Sequence, residues 1–173
     1  FIMLPAETLG YEPFLVNGRA ILFDPSMRST DWPLYRGNGR SPLSSLEELT
    51  RVGTGFSPFW IDELTFGFVW QVQLSSDSNR HELVLMSTTD EVPRPILSET
   101  ELQLSLPKGV PSTTPTILYV MPHPQQRERL FIVATGADRA LFVFSFNYQT
   151  DDLQFLLESG VGDIHSLGFS PDG

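Results

Sequence analysis

A short unit recurs along this chain. It consists of an aromatic-led strand, a tight polar turn, a second apolar strand and a hairpin into a third. Phe14-Leu15-Val16-Asn17-Gly18-Arg19-Ala20-Ile21-Leu22-Phe23 is one instance and Phe59-Trp60-Ile61-Asp62-Glu63-Leu64-Thr65-Phe66 another. Tyr119 through Ala134 repeats the pattern with a longer turn at Pro122 to Arg129, and Leu167-Gly168-Phe169-Ser170-Pro171-Asp172-Gly173 carries a further turn. The turns fall near positions 17, 62, 126 and 172. Two of the three intervals are about 45 residues, which is the length of four short strands with their connections in a radial repeat protein.

The segments between the turns read as strands. Ala20–Phe23 follows Asn17-Gly18, a pair that readily takes positive φ in a hairpin. Leu64–Leu74 is rich in β-branched and aromatic residues, and Glu82–Ser87 follows the polar stretch Ser75–Arg80. Thr116–Val120, Leu130–Ala134, Ala140–Phe146 and Leu153–Leu157 complete the set, separated by turns at Thr135–Arg139 and Asn147–Asp152. Short strands with short connections predict an all-β, antiparallel meander of hairpins. Three stretches are less regular. Ser44–Val52 fits both a short capped helix and a strand. Pro25–Pro42 predicts one strand, Pro33–Arg36, inside a long loop. Ser98–Pro115 alternates Leu102, Leu104 and Leu106, which predicts an outer strand followed by a linker.

Phe169-Ser170-Pro171-Asp172-Gly173 resembles the Ser-Pro-Asp-Gly turn of TolB-like, WD40-like β-propeller repeats. Leu49-Thr50, then Phe56-Ser57-Pro58-Phe59-Trp60 and Leu64-Thr65-Phe66, resemble the Leu-Thr, Pro-x-Trp and Ile-x-Phe positions of the same repeat. In such a turn Pro sets φ, Asp bonds the turn backbone and Gly supplies the positive φ. Asn17, Gly18, Asp62, Pro171, Asp172 and Gly173 are the expected structural turn residues. The second unit departs from the pattern with Asp62-Glu63 in place of Asp-Gly, and the third has a Pro-rich turn without Gly. The resemblance implies a partial or open β-propeller of four-stranded blades, with limits near 10–52, 53–106, 114–160 and 161–173. Closed propellers use about four to eight blades. The count therefore predicts a piece of a longer polypeptide, or an open propeller completed by a partner. The same resemblance favours an extracytoplasmic location, in the periplasm or cell envelope, over the cytoplasm.

Composition narrows the functions. With 21 acidic and 11 basic residues the formal net charge is −10. Such a surface repels phosphate backbones, so nucleic acid is not an expected partner. The chain has no cysteine, which excludes disulfides, thiolate metal sites and cysteine nucleophiles. No apolar run approaches the ~18 residues of a membrane-spanning helix, so direct membrane insertion is not expected.

The residues with catalytic potential do not assemble into a motif. His81, His123 and His165 are spaced by 42 residues twice, close to the repeat period. They fall at a hairpin approach, a turn and a strand start, positions that are not equivalent, so no metal site is expected. Asp163, His165 and Ser166 or Ser170 have the residue types of a hydrolase, but they are too local for a triad and no Gly-x-Ser-x-Gly elbow is present. Glu47-Glu48, Asp62-Glu63 and Asp151-Asp152 are adjacent pairs, and neighbours on a strand point to opposite faces. Asp24, Asp31 and Asn38 lack the spacing of a calcium loop, and Gly37-Asn38-Gly39 lacks the Lys and helix of a phosphate loop. No catalytic, cofactor-binding or metal residues are expected, and no cofactor. Trp60, Trp70 and the 13 phenylalanines read as core. Trp32, in a polar stretch, is the expected exposed interaction residue.

These readings favour a non-enzymatic protein–protein interaction or scaffold module, partnered by another protein or by the rest of a larger chain. Two alternatives stay open. One is the propeller domain of a larger prolyl-oligopeptidase-like hydrolase, whose catalytic domain would lie outside this chain. The other is a propeller that binds a carbohydrate or another small ligand.

Overall fold

The computed structural model describes residues 12–16, 19–23, 33–37, 49–62, 64–75, 78–87, 90, 92–110, 114–136 and 139–161. Eleven strands and one helix lie within them. In chain order they are β1 (Glu12–Val16), β2 (Arg19–Phe23), β3 (Pro33–Gly37), β4 (Leu49–Trp60), β5 (Thr65–Ser75), β6 (Ser78–Ser87), β7 (Arg94–Ser98), α1 (Glu99–Ser105), β8 (Thr116–Pro122), β9 (Arg129–Thr135), β10 (Ala140–Asn147) and β11 (Asp152–Val161). Every strand pairing is antiparallel between sequence neighbours, giving the orders β1-β2-β3-β4-β5-β6-β7 and β11-β10-β9-β8. Neither sheet closes into a barrel. The all-β, antiparallel meander expected from the sequence is the observed architecture.

β4 joins two four-stranded ladders. Its residues 49–54 pair with β3 and its residues 55–60 with β5. The repeat places the Leu-Thr pair and the Ser-Pro-Phe-Trp stretch in different strands; in the structure one twelve-residue strand carries both. A bulge between Phe56 and Phe59 accommodates Ser57 and Pro58, where Pro has no ladder hydrogen bond to forfeit. Two glycines let the strands approach. A Cβ at Gly55 would collide with the Val69 carbonyl oxygen, and one at Gly67 with the Phe59 ring.

The β4–β7 ladder is apolar on both faces, because its rows alternate. Phe59, Gly67 and Leu85 form one row and Phe56, Val69, Leu83 and Leu97 the next on the same side, facing β8–β11. Trp60, Phe66, Phe68, Val84 and Met86 form a separate buried cluster on the other side, with Trp70 packed against it. In the β8–β11 sheet the rows Val120–Ile132–Phe144–Phe155 and Pro122–Leu130–Phe146–Leu153 point back at β4–β7. Phe142, Phe144 and Phe146 are each essentially fully buried. Each contributes about 1.5–3 kcal/mol of transfer free energy.

The two sheets pack on one shared core and touch at both margins. At one margin β4 lies against β8, and Ser57 joins them. The Ser57 hydroxyl accepts from the Val120 N–H at 3.0 Å and donates to the Val120 carbonyl at 3.4 Å. Ser57 has φ of 52°, a left-handed conformation that aims its side chain across the gap. At the other margin α1 packs on β6, β7 and β11 and so touches both sheets.

Helix α1 replaces the outer strand expected after Ser98. Ser98 accepts from the Glu101 N–H, while the Glu101 carboxylate accepts from the Ser98 N–H at 2.7 Å, a complete capping box. The leucine alternation misleads because a helix puts positions four apart on one side. Leu102 is fully buried and Leu106 packs on the same core, whereas Leu104 is 81% exposed. The outer strand of this ladder is instead β7, just before the helix. The expected polar turn Ser75–Arg80 is also mostly strand, since β5 extends to Ser75 and β6 begins at Ser78.

Two substitutions test the hinge and the wedge. Ser57→Ala leaves both Val120 backbone groups without their partner and should lower unfolding free energy by about 1–3 kcal/mol. Leu102→Ala should cost about 2–5 kcal/mol by opening a cavity under the helix. Denaturant titration followed by circular dichroism measures both; an unchanged midpoint for either would contradict the corresponding contact.

Candidate functional site

The outer face of β8–β11 is built by the strand period. Residues that alternate with the core phenylalanines must point away from it. Register places Tyr119, Val133, Val143 and Leu157 in one transverse row and Met121, Phe131, Ser145 and Gln154 in the next. The middle of the first row is shielded, with Val133 only 2% exposed, while its ends are open: Tyr119 is 47% and Leu157 48% exposed. A bulge between Ile117 and Tyr119 adds Leu118, and a register shift between Val143 and Phe144 accompanies the exposed Leu156. Polar groups border this apolar band. Arg129 donates through Nη1 to Ser145 Oγ at 2.9 Å. His123 lies over Phe131 with ring centroids 5.8 Å apart, and its Nδ1 accepts from the N–H groups of Gln125 and Gln126 at 3.1 and 3.2 Å.

A second group of polar residues sits inside the fold. His81 Nδ1 lies 3.0 Å from Glu99 Oε1, and the same oxygen accepts from the Ile117 N–H at 3.1 Å. Glu99 Oε2 takes the His81 N–H at 3.3 Å. One buried carboxylate thus ties β6 to the start of β8 from the first residue of α1. The Phe56 ring stands edge-on to the imidazole, with centroids 5.4 Å apart. Arg80 pairs with the buried Glu82 beside it. A histidine held by a carboxylate is half of a general-base relay, but His81 Nε2 is buried and bonded to no hydroxyl, thiol or carboxylate among the described residues. The arrangement acts as a strut.

At the far end of the sheets three turns converge. Asp62 closes the β4–β5 turn: its Oδ1 accepts from the N–H groups of Leu64 and Thr65 at 2.7 and 2.8 Å. Asn147 Oδ1 does the same for Gln149 and Thr150 in the β10–β11 turn, where Asp151 has φ of 58°. The Tyr148 N–H donates to the Glu128 carbonyl at 3.1 Å. Burial pushes the Tyr148 phenol above its ordinary 10.0, the Asp62 and Glu128 carboxylates add to this, and a Gln149 hydrogen bond and the Arg94 guanidinium oppose it.

Of the residues singled out from sequence, Asp62 holds a turn, while His81 and His123 lie in separate polar groups. Asn17, Gly18, Trp32, Asp163, His165, Ser166, Ser170, Pro171, Asp172 and Gly173 lie outside the described residues, as do Asp24, Asp31, Asn38 and Glu47-Glu48. Among the described residues no three His, Asp or Glu side chains are placed to hold a metal ion, and no helix is long and apolar enough to cross a membrane. The sequence reading missed Ser57 and Glu99. The legible signals were Ser-Pro inside a strand, which marks a bulge, and the Ser98-x-x-Glu101 capping pair.

Two side chains test these assignments. Glu99→Ala leaves the Ile117 N–H unsatisfied in the interior and should destabilise the fold by about 1–3 kcal/mol. Tyr148 has a higher pKa folded than unfolded, so its stabilising contribution is in place below 10.0 and fades as pH rises through the folded value. Tyr148→Phe should therefore flatten the alkaline loss of stability, read from denaturant midpoints across that range; identical alkaline profiles would refute the assignment. Comparison with protein-family models, with curated proteins and with solved structures returned no match.

Proposed function

We propose that this chain is a non-enzymatic protein–protein interaction or scaffold module of open β-propeller type, working within a larger polypeptide or complex. In this reading four-stranded ladders are stacked face to face, and the outer face of β8–β11 receives the next sheet. The observation that carries it is the exposure of Tyr119 and Leu157 at the two ends of the row Tyr119–Val133–Val143–Leu157, whose middle is shielded, on a sheet whose other face is already packed. Exposed apolar groups beside polar ones are found at association surfaces. Burial of both faces of β4–β7 also supports a stacked arrangement. β4 passes from one ladder to the next without a loop, which suits an open form rather than a closed ring.

The test is the molar mass in solution, by light scattering, of the 173-residue chain and of a Tyr119→Lys/Leu157→Lys variant. The expected result is a defined assembly heavier than 19.4 kDa for the natural sequence and a folded 19.4-kDa monomer for the variant. A folded monomer for both, neither binding a hydrophobic dye, would overturn the proposal.

A further inference from the structure

The edge of the β8–β11 sheet offers a second surface, which shares Leu157 with the outer face. β11 runs ten residues, Asp152–Val161, and among the described residues its strand partner is β10 alone. Successive strand residues face opposite sides. Exposure at five consecutive positions, Leu156 to Gly160, therefore means that both sides of this half of the strand are largely accessible, with α1 also touching β11. A Cβ added at Gly160 would meet nothing within 4 Å. Among the described strands none pairs with the N–H and C=O groups on the side away from β10, and such groups are a template for another strand.

Native edges are commonly blunted by Pro, by Lys or by a covering element. β11 has no Pro and no Lys, and its charges are of one sign. Asp151, Asp152 and Glu158 are exposed, and no Lys or Arg occurs from Asn147 to Val161. The only side-chain partner of these carboxylates in the segment is neutral, Gln154 Nε2 donating to Asp152 Oδ2 at 2.7 Å. Like charges oppose pairing of this edge with the same edge of a second copy. They favour an extended segment that brings cations, and the exposed Leu156 and Leu157 give its alternate apolar side chains a surface to cover.

We infer that the free edge of β11 binds a basic, extended peptide segment of another protein by strand addition. The main-chain ladder supplies affinity, and the acidic pair Asp152 and Glu158 selects for Lys or Arg. The inference does not depend on how the sheets stack.

The experiment uses the full chain and three labelled peptides followed by fluorescence anisotropy. They are an alternating Lys/Val peptide, an alternating Glu/Val peptide, and the Lys/Val peptide N-methylated at every residue, which removes the ladder donors from both of its edges. The expected result is binding of the Lys/Val peptide, with the other two weaker by about tenfold or more. Asp152→Lys/Glu158→Lys should reverse the preference toward Glu/Val. Amide exchange should slow within Leu153–Gly160 when the Lys/Val peptide binds. Equal binding of the N-methylated peptide would show ionic attraction without strand addition and overturn the inference. So would an unaltered preference in the charge-reversed variant, absence of binding, or a Ser159→Cys chain that crosslinks to a second copy through this edge.

Discussion

Burial of one shared apolar layer between β4–β7 and β8–β11 governs the described structure. A single antiparallel meander can satisfy its backbone but leaves an apolar face in water; two meanders pressed together remove both. Phe142, Phe144 and Phe146 from one sheet share a single buried cluster with Val69, Leu83 and Leu85 from the other. The remaining features adjust the distance between the two layers. Ser57 draws the β4 and β8 margins together by bonding both backbone groups of Val120. Leu102 fills the opposite margin, and Glu99 anchors the helix that carries it. The polar groups at the margins therefore tie together a packing that the apolar rows make favourable.

Strand content was legible in the sequence because β-branched and aromatic runs alternate with Gly, Asp, Asn and Pro at the turns. Phe14–Phe23, Leu64–Leu74 and Ala140–Phe146 fall on β1–β2, β5 and β10. α1 was not, since Leu102, Leu104 and Leu106 alternate as a strand would; the opposing signal was the single pair Ser98 and Glu101, whose mutual hydrogen bonds outweigh a three-residue pattern. β7 was hidden by Pro95 within it, Pro93 just before it and the charged Arg94 between them, and it tolerates Pro95 as an outer strand.

The site was less legible than the fold. An inward and an outward row differ only by one residue of register, so naming Tyr119 and Leu157 as surface residues requires the bulges at Leu118 and near Phe144 to be known. The histidines show the complementary limit. Their even spacing along the chain carried no spatial relation for the two that are described: His81 is fastened to α1, and His123 caps the turn after β8. Charge was informative at a coarser scale, because the acidic surplus of the whole chain includes the uniformly acidic segment around β11.

The shared strand β4 has a consequence for how the molecule comes apart. A ladder whose strands all belong to it can slip or fray without disturbing its neighbours, and separate stability for each repeat is the usual result in stacked architectures. Here a one-residue slip of β4 against β3 would carry Phe59 and Trp60 to opposite faces of the next ladder. The aromatic clusters on both sides of β4–β7 therefore hold the register of β1–β4 as well. The two ladders form one cooperative unit rather than two, in which the bond network of a single twelve-residue segment transmits a pull at the first strands directly into the buried interior.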